Sequence, residues 1–124
     1  MTSREMYKEH ILDLYKNPLN YGELKNCTNK ERKMNPLCGD DMTVQLIIKN
    51  DIVKDIKFLG KGCALSIASA SLITETVKGM KVEDVKKLSK DDIIDLLEIK
   101  VGPVRIKCVL LFLEILHNAV NQNA

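Results

Sequence analysis

The chain has 124 residues, 45% hydrophobic and 4% aromatic, with 19 basic and 17 acidic residues and a formal net charge of +2. That length fits a single domain, residues 1–124, with a core of its own, and so few aromatics leave that core to Leu, Ile, Val and Ala. The near balance of charge gives no nucleic-acid footprint, no apolar run nears the ~18 residues of a membrane span, and the first residues lack the apolar stretch of a signal peptide.

Met6, Tyr7, Ile11, Leu14 and Tyr15 fall on one helical stripe, with Ser3 as N-cap, and Asn17-Pro18 predicts its end. Residues 19–37 read as a polar loop with a short edge strand near Asn26–Arg32, mobile without metal. Met42, Val44, Leu46 and Ile48 alternate with Thr43, Gln45 and Lys49, the pattern of a half-buried strand over 42–49. Asn50-Asp51 suits a tight hairpin turn, and Ile52, Ile56 and Phe58 predict the return strand over 52–59. Gly60-Lys61-Gly62 is expected to break the sheet.

From Cys63 to Val77 the residues are small and helix-compatible, with Gly79 just past the end. A short helix is expected over Val82–Leu88, and Ser89 caps another that carries Ile93, Ile94, Leu96 and Leu97. Gly102-Pro103 precedes a last helix over 104–121, apolar nearly all round between Cys108 and Leu116 and so deeply buried. The expected fold class is α+β: a small antiparallel sheet of about three strands with helices packed on one face.

Three of the four cysteines occupy settings that favour a thiolate. Cys38 lies in the turn Asn35-Pro36-Leu37-Cys38-Gly39-Asp40. Cys63 follows Gly60-Lys61-Gly62 at a helix start, and Cys108 lies early in the last helix beside Lys107 and near Arg105. Helix N-termini and nearby cations lower a thiol's pKa. In a reducing cytoplasm such thiols are metal-binding or reactive rather than paired. Three sulfurs and the Asp40 carboxylate suit a soft metal: zinc, copper(I) or an iron–sulfur centre. A carboxylate among thiolates is the weaker bond and so the point of release. No Cys-x-x-Cys pair exists, so spacing alone points to metal only modestly.

The motifs Asn35–Asp40, Gly60-Lys61-Gly62-Cys63-Ala64-Leu65-Ser66-Ile67-Ala68-Ser69-Ala70-Ser71 and Pro103-Val104-Arg105-Ile106-Lys107-Cys108 resemble those of the U-type iron–sulfur cluster assembly scaffolds, the family of IscU, SufU and the N-terminal domain of NifU. The resemblance covers nearly the whole chain. It implies the NifU-like fold and a cytoplasmic scaffold that accepts sulfur from a cysteine desulfurase, binds iron, assembles a labile [2Fe–2S] cluster and passes it to apo-proteins. Cys38, Cys63 and Cys108 match the family's ligand cysteines, and Asp40 the aspartate that keeps the cluster labile. Cys38 is the favoured first sulfur acceptor. A homodimer around a shared cluster is compatible with this reading.

Two departures bear on subtype. Lys107 stands where IscU-type members carry histidine, as in SufU-type members, but the Cys63–Cys108 interval lacks the SufU-type insertion. Val101-Gly102-Pro103-Val104-Arg105 departs from the IscU chaperone-binding sequence, which puts a chaperone interaction in doubt. The alternative is a zinc-binding SufU-type sulfur acceptor that stimulates a desulfurase, with sulfurtransferase-like activity. A purely structural zinc domain fits poorly, because such sites close with a fourth thiolate or histidine.

Other residues have plainer readings. Cys27 is a small apolar residue, and His10 and His117 are at surface or half-buried helix positions. Ser66, Ser69 and Ser71 serve close helix packing. Lys107, which has no lone pair for a metal, is an auxiliary residue that tunes Cys108.

Overall fold

The computed structural model describes residues 3–35, 39–97 and 106–122, with backbone alone for residues 3–8. The side chains of Ser3, Met6 and Tyr7, the turn holding Cys38, and the segment holding Gly102, Pro103 and Arg105 lie outside the described residues.

Helix α1 spans Ser3–Lys16. It ends where the Asn17 amide donates to the Asp13 carbonyl at 2.8 Å and Pro18 bars another turn. Ile11 and Leu14 face the core, but Tyr15 is 45% exposed, so the buried stripe is narrower than its spacing predicts.

The sheet has three strands in the order β1-β2-β3: β1 (Asn29–Asn35), β2 (Asp40–Lys49) and β3 (Ile52–Lys61), paired antiparallel. β1 starts later than the sequence suggests. Its run Lys30-Glu31-Arg32-Lys33 carries no apolar alternation, and charged side chains suit an edge strand. Met42, Val44 and Leu46 are fully buried with Val53, Ile56 and Phe58. A register shift between Ile47 and Ile48 breaks the alternation, which explains why Ile48 is only partly buried and why Val53, not Ile52, points inward. Asn50 and Asp51 both have positive φ, 55° and 61°, as a two-residue hairpin turn requires.

Gln45 is buried rather than outward-facing, at 2% exposure. Its side chain accepts from the Leu24 amide at 2.9 Å and donates to the Gly22 carbonyl at 3.0 Å, which satisfies it. Asn20 accepts from the Phe58 amide and Phe58 from the Gly22 amide, both at 3.0 Å, which covers the free edge of β3. Asn20 also donates to Thr74 and Glu75. The segment expected to be a mobile loop is thus tied to the sheet and to a helix.

β3 runs on through Gly60 and Lys61 instead of breaking there. Gly60 has φ +128°, and a Cβ on it would stand 2.0 Å from the Asp41 carbonyl oxygen, so only glycine carries the strand this far.

Helix α2 (Ala64–Val77) is the central helix, buried along most of its length. Its small residues let α1, β3 and α5 (Ile106–Val120) pack against it, and α5 also lies on β1 and β2. Between them run α3 (Val82–Lys86) and α4 (Lys90–Leu97). Ser89 and Asp92 cap α4 reciprocally. Phe58 and Phe112 meet edge to face, their ring centres 5.6 Å apart. The fold is α+β, a three-stranded antiparallel sheet with helices on one face.

Candidate metal centre

Asp40 opens β2, Cys63 is the N-cap of α2, and Cys108 sits in the first described turn of α5. Their ligand atoms lie within 4.8 Å of one another. Two sulfurs bound tetrahedrally to one zinc ion stand about 3.8 Å apart, given Zn–S bonds of about 2.3 Å. The observed separation is within a small side-chain adjustment of that. Asp40 and Cys108 are buried whereas Cys63 is exposed, so the centre opens to solvent on the Cys63 side.

Cys63 and Asp40 are oriented by the backbone and hydrogen bonds around the start of α2. Cys63 has extended backbone (φ −70°, ψ 167°), as an N-cap does, and its sulfur accepts from the Ser66 amide at 3.4 Å. Asp40, 1% exposed, accepts through Oδ1 from the Cys63 amide at 3.2 Å and through Oδ2 from the Ser66 hydroxyl at 2.8 Å. Those bonds offset the cost of burying a carboxylate. A Cβ on Gly62 would come within 2.8 Å of Asp40 Oδ1, so glycine there makes the cradle in which the carboxylate sits. The Tyr21 hydroxyl donates to the Gly60 carbonyl at 2.8 Å and accepts from the Gly60 amide at 3.3 Å, pinning the strand that leads to Cys63.

Next to Asp40, Asp41 forms a two-point ion pair with Arg32 across the strands, at 2.8 and 2.7 Å. That hydrogen bonding holds the Asp41 carboxyl below its ordinary value, Arg32 and Lys61 adding charge attraction, and it raises the Arg32 guanidinium in turn. Two hollows flank the centre. One is lined by Tyr15, Pro18, Tyr21, Gly60, Lys61, Gly62 and Ile67. The other is lined by Lys33, Met34, Asn35, Lys107, Leu110, Leu111 and Glu114.

Of the four expected ligands, the structure gathers Asp40, Cys63 and Cys108, and Cys38 lies outside the described residues. Lys107 is exposed on the wall of a hollow. Cys27 is a half-buried free thiol outside the cluster. His10 is exposed, and His117 engages the Val85 carbonyl at 3.0 Å. Sequence reasoning missed Ser66, Gly62 and Tyr21. Ser66 stands three residues after the cap, in capping-box register with Cys63, and that spacing was the available signal.

An α+β domain that brings two cysteines and a buried carboxylate together at a helix start has the donor set of a candidate metal site. The chain belongs to the family of NifU-like N terminal domains, whose profile matches residues 6–123. It is 37% identical to the zinc-dependent sulfurtransferase SufU of Bacillus subtilis (strain 168), over 93% of this chain and 89% of that protein. It is 34% identical to the iron–sulfur cluster assembly scaffold protein IscU of Thermotoga maritima, over 98% and 97%. The two alignments span 132 and 138 positions, more than the 124 residues here, so both relatives carry residues with no counterpart in this chain. Among solved structures, a protein from Fervidobacterium islandicum AW-1 described as an iron–sulfur cluster assembly scaffold for the SUF system superposes with TM-score 0.77 at 28% identity, over 97% of this chain and 100% of that one.

Proposed function

We propose that this chain, as a single domain, is an iron–sulfur cluster assembly scaffold that holds a labile [2Fe–2S] cargo with Cys38, Asp40, Cys63 and Cys108. The observation that carries the reading is the mixed donor set. Two sulfurs and one buried carboxylate oxygen converge within 4.8 Å at a centre open on the Cys63 side. A site built for permanent retention closes with a fourth thiolate or histidine; one hard oxygen among soft sulfurs leaves a bond that opens during handover. The protein is then a carrier rather than an enzyme. Its partners are a cysteine desulfurase and apo iron–sulfur proteins, and its place is the cytoplasm, where thiols stay reduced. Exposed Tyr15, Tyr21 and Met34 around the two hollows offer apolar surface to a partner.

The test is anaerobic incubation of metal-free protein with iron, a desulfurase and cysteine, followed by apo-ferredoxin. The scaffold reading expects visible cluster absorption and then transfer. A second reading is a zinc-binding sulfur acceptor that stimulates a desulfurase, with Cys38 receiving the sulfur. It is favoured by Lys107 and by similarity to a zinc-dependent sulfurtransferase. Tight zinc, no chromophore and faster desulfurase turnover would establish it instead.

A further inference from the structure

We propose that Ser66 is a positioning residue of the metal centre, its hydroxyl aiming the Asp40 carboxylate at the ion. The inference rests on the metal-site reading above. Ser66 is fully buried in the first turn of α2. Its hydroxyl lies 2.8 Å from Asp40 Oδ2, 3.3 Å from Cys63 Sγ and 3.5 Å from the Cys108 carbonyl oxygen, so it touches all three described donor residues. A hydroxyl has one proton to give. The carboxylate is the nearest of the three acceptors, and charge-assisted bonds are the strongest, so the proton goes to Asp40. The hydroxyl oxygen is then left to accept from the Cys63 thiol at 3.3 Å, and the Cys108 carbonyl, at 3.5 Å, is the most distant of the three.

Space-filling does not account for this orientation. Buried helical hydroxyls usually bond back to the carbonyl one turn earlier. Ser69 does so with Leu65 at 2.6 Å and Thr74 with Ala70 at 2.8 Å. Ser71 accepts from the Leu19 amide instead. Ser66 alone of these four turns its hydroxyl to a donor of the candidate centre. The carboxylate has its other oxygen on the Cys63 amide. With both oxygens engaged its plane is fixed before any ion arrives, and partners of that kind orient metal ligands.

The experiment measures Zn²⁺ affinity by competition with a chromophoric chelator, and the visible spectrum of the Co²⁺-loaded protein, for wild type, Ser66→Ala, Asp40→Ala and the double variant. Unfolding of each metal-free protein is followed in parallel. Ser66→Ala should weaken Zn²⁺ binding about 10–100-fold, the usual cost of losing such a partner, and should alter the Co²⁺ bands. In the Asp40→Ala background the same change should have little effect, because coupled residues fail to add. Gly62→Ala keeps the hydroxyl but drives a Cβ to 2.8 Å from Asp40 and 3.1 Å from the Ser66 Cβ, so it should weaken binding too. It serves as the test should Ser66→Ala not fold. Unchanged affinity in these variants, or an equal loss with and without Asp40, overturns the role of Ser66. A wild-type chain that binds neither ion overturns the metal-site reading, and this inference with it.

Discussion

At the scale of the residue, the centre shows how much chemistry a short motif encodes. Cys63 announced itself, because two glycines and a run of small residues predict a helix start with a thiol at its cap. Asp40 was legible as a hard oxygen two residues after Cys38, but its burial was not. Burial depends on Gly62, far along the chain, having no Cβ. Ser66 was read as packing because its partner is Asp40, a strand away, and no periodicity reports such a meeting. The labile-ligand role makes a specific expectation. Asp40→Ala should give a longer-lived cluster and slower transfer to apo-ferredoxin, followed by decay of visible absorption. A shorter-lived cluster would count against that role.

At the scale of the element, β2, the hairpin turn and the helices were legible from alternation, turn residues and caps. The start of β1 was not, since a charged edge strand carries little apolar signal. The end of β3 was missed for a different reason. Gly60 reads as a breaker, yet here it permits close approach of two backbones. Gly60→Ala should therefore destabilise the protein by about 2–4 kcal/mol, strain at a special backbone position, measurable by urea unfolding. A loss below about 0.5 kcal/mol, the range of ordinary surface changes, would contradict the close approach. The Arg32–Asp41 pair beside it has a pH signature. Asp41 is lowered in the folded chain, so its contribution is present above the ordinary carboxylate range and fades as pH falls through the lowered value. Arg32→Ala should move the Asp41 carboxyl titration, followed by NMR, upward toward the ordinary value.

At the scale of the whole molecule, three elements distant in sequence deliver the candidate donors, so a metal held there would be linked to the tertiary structure. The core that sets their approach is aliphatic apart from Met42, Phe58 and Phe112, in keeping with the low aromatic content. Phe112→Ala should cost about 3–5 kcal/mol by leaving a cavity between α5 and the sheet, read from denaturant midpoints. Metal should act in the other direction. Zn²⁺ at one hundred times its Kd should stabilise the fold by about 2.7 kcal/mol, and a chelator should remove that gain. The helix order and the sheet were predictable because each depends on local pattern. The convergence of residues 40, 63 and 108 was suggested by the thiolate-favouring settings of the cysteines and specified by the family's motifs, because long-range meeting leaves no trace in local spacing.

X-ray absorption at the zinc edge of the zinc-loaded protein tests the donor set most directly. Three sulfurs at about 2.3 Å and one oxygen at about 2.0–2.2 Å are expected, with the oxygen shell altered in Asp40→Ala. A shell of nitrogen and oxygen alone, unchanged by Cys63→Ser or Cys108→Ser, would contradict it.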